Sequence, residues 1–301
     1  MLAEDVLDKY YRAGEIAARV REEMKRTARE GMPILDICEK AEGMIRSLGG
    51  KPAFPCNVSI NEVAAHYTSP IGDESRVPED SIVKVDVGVH VDGYLVDTAT
   101  TICFDPEYES MVQAAEKALE TAIRVIRPGL STSELGSEVQ KVIEGYGFKP
   151  ISNLTGHQVG RYTIHTGKSL PNVSHFSLNK IVAGAVYALE PFVTPIDAAG
   201  RVEDSPEAYI FRLVRRKPLK MAEARRLLGF IETEFRTLPF AERWLVEHWH
   251  GGQYKPALSD LLASKCLMAY PVFVEASRGK VSQAEHTVLV DKEGATVLTW
   301  L

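Results

Sequence analysis

Cysteine is scarce in this sequence of 301 residues. The four that occur lie far apart and form no CxxC pair: Cys38, Cys56, Cys103 and Cys266. We therefore expect neither a disulfide framework nor a cysteine-ligated zinc site.

Long apolar runs and a surplus of positive charge are also lacking. No stretch of about 18 uncharged apolar residues occurs, so we expect no transmembrane helix and no membrane partner. Glu4 and Asp5 stand where a secretory signal peptide carries a basic region, and we expect a cytoplasmic location. With 35 Lys and Arg against 41 Asp and Glu, the net charge is −6, which argues against a general nucleic-acid binder.

Enough apolar sequence is present for a folded protein, since 45% of residues are hydrophobic and 25% are charged. Apolar residues at helical spacing predict helices over about 4–29, 34–47, 108–126, 131–145, 219–249 and 256–266. Segments rich in Val, Ile and Thr predict strands over 82–91, 94–104, 151–154, 161–166, 182–194, 281–291 and 295–301. The order helix, helix, sheet occurs twice, which indicates an α+β fold and is consistent with an internal duplication.

Asp92-Gly93 is a strong hairpin signal between two predicted strands. A turn centred there pairs Asp97 with Gly88 and Asp86 with Ala99. The two aspartates then share one face as diagonal neighbours, roughly 7–8 Å apart, while the valines of both strands form the other, apolar face. Two solvated aspartates would fit this pattern. A divalent cation would also fit, because it would reverse the repulsion between the carboxylates.

Further acids and histidines occur in strand-like surroundings. Glu190 interrupts an apolar run, and Glu285 enters another, where a carboxylate needs a partner or a metal. His157, His165 and His66 lie close to such segments. Each residue alone is more often structural than functional. Two Asp, two Glu and one His in strand surroundings together predict an oxygen-rich dinuclear site, suited to manganese, iron, cobalt or zinc.

Several motifs resemble the methionine aminopeptidases, and specifically the type 2, archaeal-like form. They are GVHVDGYLVDTATT (88–101), NLTGHQVGRYTIHTGKSLPN (153–172), ALEPF (188–192), QAEHT (283–287), FPCNVSINEVAAHYTS (54–69) and TLPFAERWL (237–245). The resemblance covers nearly the whole chain and implies the pita-bread fold, in which pseudo-two-fold repeats surround a curved antiparallel sheet. It implies a catalytic domain over 1–196 and 271–301, with a mostly helical subdomain inserted over 197–270.

The resemblance also assigns roles at the site. The ligands of two divalent ions (Co, Mn, Fe or Zn) would be Asp86, Asp97, His157, Glu190 and Glu285. Asp97 and Glu285 would bridge the ions, and Glu190 would also carry the proton of the attacking water. His165 would stabilise the tetrahedral intermediate. His66 would lie near the scissile nitrogen and would be the residue that fumagillin-type epoxides alkylate.

The implied reaction removes the initiator methionine from nascent proteins with a small second residue, by attack of a hydroxide held between the two ions. Its side-chain pocket would be apolar and of methionine size, which suits a thioether. By resemblance, the residues that line it are Phe54, Ile164, Phe192 and Tyr270, with His165 at its edge and His66 nearby. For Phe192, plain core packing is an equally good interpretation.

Two alternatives stay open at this point. Relatives that cut Xaa-Pro bonds share the five ligands but carry an added N-terminal domain, and only about 50 residues precede Phe54 here. Pita-bread proteins that bind ribosomes or RNA without catalysis lack several ligands, whereas all five are present here.

A basic cluster in the insertion raises the question of ribosome association, since nascent chains would be the substrate. It consists of Arg212, Arg215, Arg216, Lys217, Lys220, Arg225 and Arg226. We favour a solvated charged face interleaved with acids, and we expect no sequence-specific nucleic-acid partner.

Overall fold

The structure is a computed structural model and describes residues 2–249 and 254–301. Its helices are α1 (Glu4–Thr27), α2 (Ile34–Ser47), α3 (Glu109–Val125), α4 (Thr132–Gly145), α5 (Ala222–Glu234), α6 (Glu242–His248) and α7 (Tyr254–Ala263), with a 3-10 turn over Pro106–Tyr108. No helix of the described residues has the length and apolar character that a membrane span needs.

Sixteen strands are described alongside these helices. They are β1 (Lys51–Pro52), β2 (Asn57–Ile60), β3 (Val63–Ala65), β4 (Ile82–Val91), β5 (Tyr94–Cys103), β6 (Phe148–Pro150), β7 (Thr155–Val159), β8 (Ser169–Pro171), β9 (Val186–Leu189), β10 (Phe192–Pro195), β11 (Val202–Leu213), β12 (Phe240–Ala241), β13 (Leu267–Glu275), β14 (Ser282–Gln283), β15 (His286–Val290) and β16 (Ala295–Val297).

The hairpin of β4 and β5 has the predicted register. Gly88 pairs with Asp97, and Asp86 pairs with Ala99. On the other face, Val85, Val87, Val89 and Val96 are fully buried and form one core with the apolar side of α1 and with α2. That burial fixes the register, because a slip by one residue would turn the valines out of the core.

The second half repeats this arrangement with different residues. α3 presents a stripe of buried alanines, and α4 begins at a capping box in which Ser131 and Glu134 satisfy each other's backbone groups. Both helices pack on the five-stranded sheet of order β16-β15-β9-β7-β8. The predicted order of helix, helix and sheet is therefore confirmed in both halves.

Several strand predictions differ from the structure, and one of them is 281–291, which is divided into β14 and β15. The predicted strand 182–194 is interrupted between β9 and β10 by Glu190 and Pro191, and proline lacks the N–H that a continuous ladder needs. The strand expected over 161–166 is wrong, since Gly160 and Thr163 close a tight turn there. The strand expected over 151–154 is a connection between β6 and β7.

The region 197–270 contains strands that the sequence analysis did not predict. β11 and β13 form a long antiparallel ribbon, and β13 also pairs with β3 beside His66. α5, α6 and α7 pack together in a separate apolar cluster. β13 crosses the expected domain boundary at residues 270 and 271, and residues 250–253 lie outside the described residues. The division into two domains stays a prediction.

Candidate active site

Five polar side chains converge where the two halves meet. Asp86 and Asp97 lie on the central hairpin, and His157 lies on β7. Glu190 lies at the break between β9 and β10, and Glu285 lies just before β15. His157 Nε2 is 3.6 Å from Asp97 Oδ2 and 3.4 Å from Glu190 Oε1.

Long-range hydrogen bonds to their backbones fix the positions of the two glutamates. Glu285 and Ala99 exchange backbone hydrogen bonds, which place Glu285 beside β5, the second strand of the hairpin. Asn172 Nδ2 donates to the Glu190 carbonyl at 2.9 Å and to the Leu154 carbonyl at 3.2 Å. Asn172 is buried, so these bonds hold the interrupted strand in place.

The surroundings of the four carboxyl groups at the site favour their protonated, neutral form. Burial, and then the charge of Asp97, raises the pKa of Asp86 well above its ordinary value. Burial followed by neighbouring carboxylates does the same for the pKa of Glu190 and of Glu285. Burial raises the pKa of Asp97 to about 7. Such a cluster ionises readily only beside a positive charge.

The ligand atoms that the protein offers at this site suit a divalent cation. Asp97, His157 and Glu285 each offer a ligand atom, and these atoms all lie within 4.8 Å of one another. Among the described residues, Asp86 Oδ1, Asp97 Oδ1, Glu285 Oε1 and His157 Nδ1 are buried without a hydrogen-bond partner. Burial lowers the pKa of His157 to about 4, so its imidazole is neutral and offers a lone pair. Unpartnered carboxylate oxygens and a neutral imidazole are the donor set that divalent metals take.

A cavity of about 520 Å³ opens beside this cluster. The predicted site residues that line it are Phe54, His66, Asp86, Asp97, His157, Ile164, His165, Glu190, Phe192 and Tyr270. Glu285 is not on its lining and lies behind, against Asp97 and His157. The structure therefore brings every predicted site residue to one place.

Phe54 packs over the backbone of the central hairpin. A side-chain carbon added at Gly88 would lie 2.2 Å from the Phe54 ring. Glycine at that position lets the aromatic wall approach β4 next to the carboxylates.

The two other histidines are oriented by neighbours. His66 Nδ1 lies 3.1 Å from the Pro271 carbonyl, which can only accept, so the proton sits on Nδ1 and Nε2 keeps its lone pair. His66 has φ 66°, an uncommon conformation for this residue type. The His165 ring meets His157 edge-on, with centroids 4.3 Å apart. Burial lowers the pKa of His66 to about 4 and that of His165 to about 3, so both are neutral.

Three supporting residues escaped the sequence analysis. They are Asn57, Asn172 and Thr287, and each lies within a motif that was quoted for the resemblance. Thr287 offered a signal, because it follows Glu285 at strand spacing and therefore shares its face. The hydrogen-bond partners of Asn172 and Thr287, and Asp86 across the strand from Asn57, are distant in sequence, so only the fold reveals these contacts.

The fold and this site define a metallopeptidase. The chain belongs to metallopeptidase family M24, whose model matches residues 8–292. A curated relative, the methionine aminopeptidase of Thermococcus onnurineus, is 47% identical over 96% of this chain and 97% of its own length.

Solved structures show the same fold at lower identity. The structure of a thermophilic Arx1 matches with a TM-score of 0.85 and 20% identity, over 100% of this chain and 92% of that chain. Methionine aminopeptidase from Thermotoga maritima matches with a TM-score of 0.72 and 22% identity, over 100% and 98%. These likenesses concern the fold alone, and they confirm the predicted α+β pita-bread architecture.

Proposed function

We propose that this chain is an aminopeptidase that removes the N-terminal methionine from peptides and nascent proteins with a small second residue. The observation that carries the proposal is an apolar cavity that ends at a buried cluster of carboxylates and histidines. The 47% identity to the methionine aminopeptidase of Thermococcus onnurineus, over nearly the full length of both chains, supports the same conclusion.

Asp86, Asp97, His157, Glu190 and Glu285 would hold two divalent metal ions at this site. Cobalt, manganese, iron and zinc all accept this mixture of oxygen and nitrogen ligands. When bound, such ions lower the pKa of water and polarise a carbonyl group.

Glu190 moves the proton of the reaction. Its carboxyl group lines the cavity, and its Oε1 lies within 3.4 Å of His157. Its raised pKa, caused by burial and then by Asp97 and Asp86, suits a group that takes a proton from water and returns it to the departing nitrogen.

His165 and His66 act on the substrate as neutral imidazoles. His165 donates a hydrogen bond to the carbonyl oxygen as negative charge develops there. His66 lies near the scissile nitrogen, with Nδ1–H anchored on Pro271. The anchor fixes the ring, so no reorientation is needed as the bond breaks.

The methionine side chain occupies the aromatic part of the cavity. Phe54, Ile164, Phe192 and Tyr270 form its walls. A thioether packs favourably against aromatic rings. We expect a large second residue of the substrate to clash at the entrance of this cavity.

The test of this function uses three peptides that begin Met-Ala, Met-Leu and Ala-Pro, with manganese-loaded protein. Release of free methionine from the first peptide, and much less from the second, is the expected result. Cleavage of the Ala-Pro peptide alone would assign the chain to the enzymes that cut Xaa-Pro bonds. No cleavage of any peptide would favour a protein that binds without catalysis.

Ribosome association and a cytoplasmic location belong to the same proposal. In the basic cluster of the insertion, Arg216 pairs with Glu232 and Arg226 pairs with Glu223, which supports a partly neutralised face. Arg215 and Lys220 are exposed and can meet the phosphates of ribosomal RNA. Cosedimentation with ribosomes at low salt that is lost on Arg215→Glu would support this contact, and unchanged cosedimentation would refute it.

A further inference from the structure

Asn57 lies beside one of the metal-site carboxylates without a role in the mechanism above. It is on β2, directly across from Asp86 on β4, and directly paired residues share a face. Asn57 is one of the residues that line the cavity, and it is 3% exposed. A polar side chain this deeply buried needs partners for both ends of its amide.

The orientation of the Asn57 amide is fixed by one contact. Its Nδ2 lies 3.0 Å from the Pro55 carbonyl. Since a carbonyl can only accept, the nitrogen must face Pro55, and the amide oxygen must face the other way. Among the described residues, this Oδ1 has no hydrogen-bond partner and is buried. Within the part of the chain that the structure describes, this acceptor therefore has no donor, and it belongs to a residue of the cavity wall.

We propose that Asn57 Oδ1 accepts a hydrogen bond from the α-amino group of the substrate. The proposal rests on the function above, because it requires a ligand with a free N-terminus. An α-amino group brings N–H donors, and the acceptors on this wall are Asn57 Oδ1 and the Asp86 carboxylate, which is ionised when a metal ion is bound. Phe54 precedes Pro55 and lines the same cavity, so a side chain seated against its ring brings the backbone amine toward this wall.

Ser59 provides a matched control on the same strand. It is two residues from Asn57, so its side chain shares the same face, and its Oγ is also buried without a partner among the described residues. It is 1% exposed and is absent from the cavity lining. Loss of the Ser59 hydroxyl therefore changes buried polarity without changing what a ligand meets.

The test measures how much the amino group contributes to binding. Isothermal titration calorimetry compares methionine with 4-(methylsulfanyl)butanoate, which lacks only the amino group, on manganese-loaded wild type, Asn57→Leu, Asn57→Ala and Ser59→Ala. We expect wild type and Ser59→Ala to prefer methionine equally. In both Asn57 variants the preference falls about tenfold, as for one lost hydrogen bond, while affinity for the deaminated ligand is kept.

Three outcomes would overturn the assignment. An unchanged preference in both Asn57 variants would show that the amide oxygen does not meet the amine. Equal weakening of both ligands would show that Asn57 only shapes the wall at Pro55. Loss of bound manganese, measured by elemental analysis, would show that Asn57 acts through the ions. Failure of the wild type to release methionine from a Met-Ala peptide would instead refute the proposed function, so the two failures are distinguishable.

Discussion

A single hydroxyl group binds both backbone groups of a candidate metal ligand. Thr287 Oγ1 accepts from the Asp97 N–H at 2.7 Å and donates to the Asp97 carbonyl, also at 2.7 Å. Thr287 belongs to β15 and Asp97 belongs to β5. These strands lie in separate sheets, one in each half of the chain. This contact joins the two halves of the chain at the carboxylate cluster.

Thr287→Val should therefore loosen the site. The substitution keeps the shape of the side chain and leaves a buried N–H and a buried carbonyl without a partner, which we expect to cost about 2 kcal/mol of stability. Urea unfolding of the metal-free protein measures it. Thr296→Val, at a partly exposed position on neighbouring β16, should change stability far less. Equal losses in the two variants would contradict a special role for Thr287.

Asp86→Asn should stabilise the metal-free protein while it weakens metal binding. The pKa of Asp86 is raised by burial and then by Asp97, so the folded state binds its proton more tightly than the unfolded state. Stability contributed by this group then falls as the pH rises from its ordinary pKa toward the raised value. The variant avoids this loss, and we expect a gain in stability at pH 8 that is larger than the gain at pH 5.

Thermal unfolding of both proteins after chelation measures the Asp86 effect. Added manganese should raise the melting temperature of the wild type more than that of Asp86→Asn. A variant that is less stable than the wild type at pH 8, or a gain that shrinks from pH 5 to pH 8, would contradict the raised pKa of Asp86.

Glu190→Gln tests the proton transfer. The amide keeps the size of the side chain but cannot carry a proton between water and the leaving nitrogen, so kcat should fall about 10²–10⁴-fold. KM for a Met-Ala peptide should change little, since the substrate pocket is intact. Steady-state kinetics at matched manganese content checks this, and near wild-type turnover would remove Glu190 from the role.

His66→Ala tests the assignment of the nucleophilic imidazole. Because Nδ1–H is anchored on Pro271, the free lone pair of His66 is on Nε2, where an electrophile in the cavity can react. We expect a fumagillin-type epoxide to label the wild type and not the variant, as measured by intact-protein mass spectrometry. His165→Ala should still be labelled. Labelling that persists in His66→Ala would show that another side chain reacts.

The central hairpin could be predicted because its signals are local. Asp92-Gly93 sets the turn, and the alternation of valines sets the register, so the pairing of Gly88 with Asp97 follows from the sequence alone. The helix over 34–47 was likewise predicted with the bounds that the structure has. Local periodicity carries this information without knowledge of the rest of the chain.

Other parts of the site depend on contacts between distant residues. The approach of Glu285 to Ala99 joins positions far apart in the chain, and no local pattern encodes it. β11 was missed because polar residues fill much of it, and its pairing with β13 stabilises it instead. The break at Pro191 was not predicted, because the apolar residues on both sides of this proline have strand character. Strand periodicity indicated the pair Asp86 and Asp97, whereas the full ligand set and its roles came from motif resemblance.

The most direct test of the central claim is the return of activity to chelated protein. Metal-free wild type should release no methionine from a Met-Ala peptide, and addition of Mn(II) or Co(II) should restore release, with a second ion bound at higher metal concentration. Metal-free Asp97→Asn should stay inactive under the same additions. Full methionine release from thoroughly chelated wild type, or activity in Asp97→Asn equal to that of the wild type, would contradict a metal-dependent aminopeptidase built on this cluster.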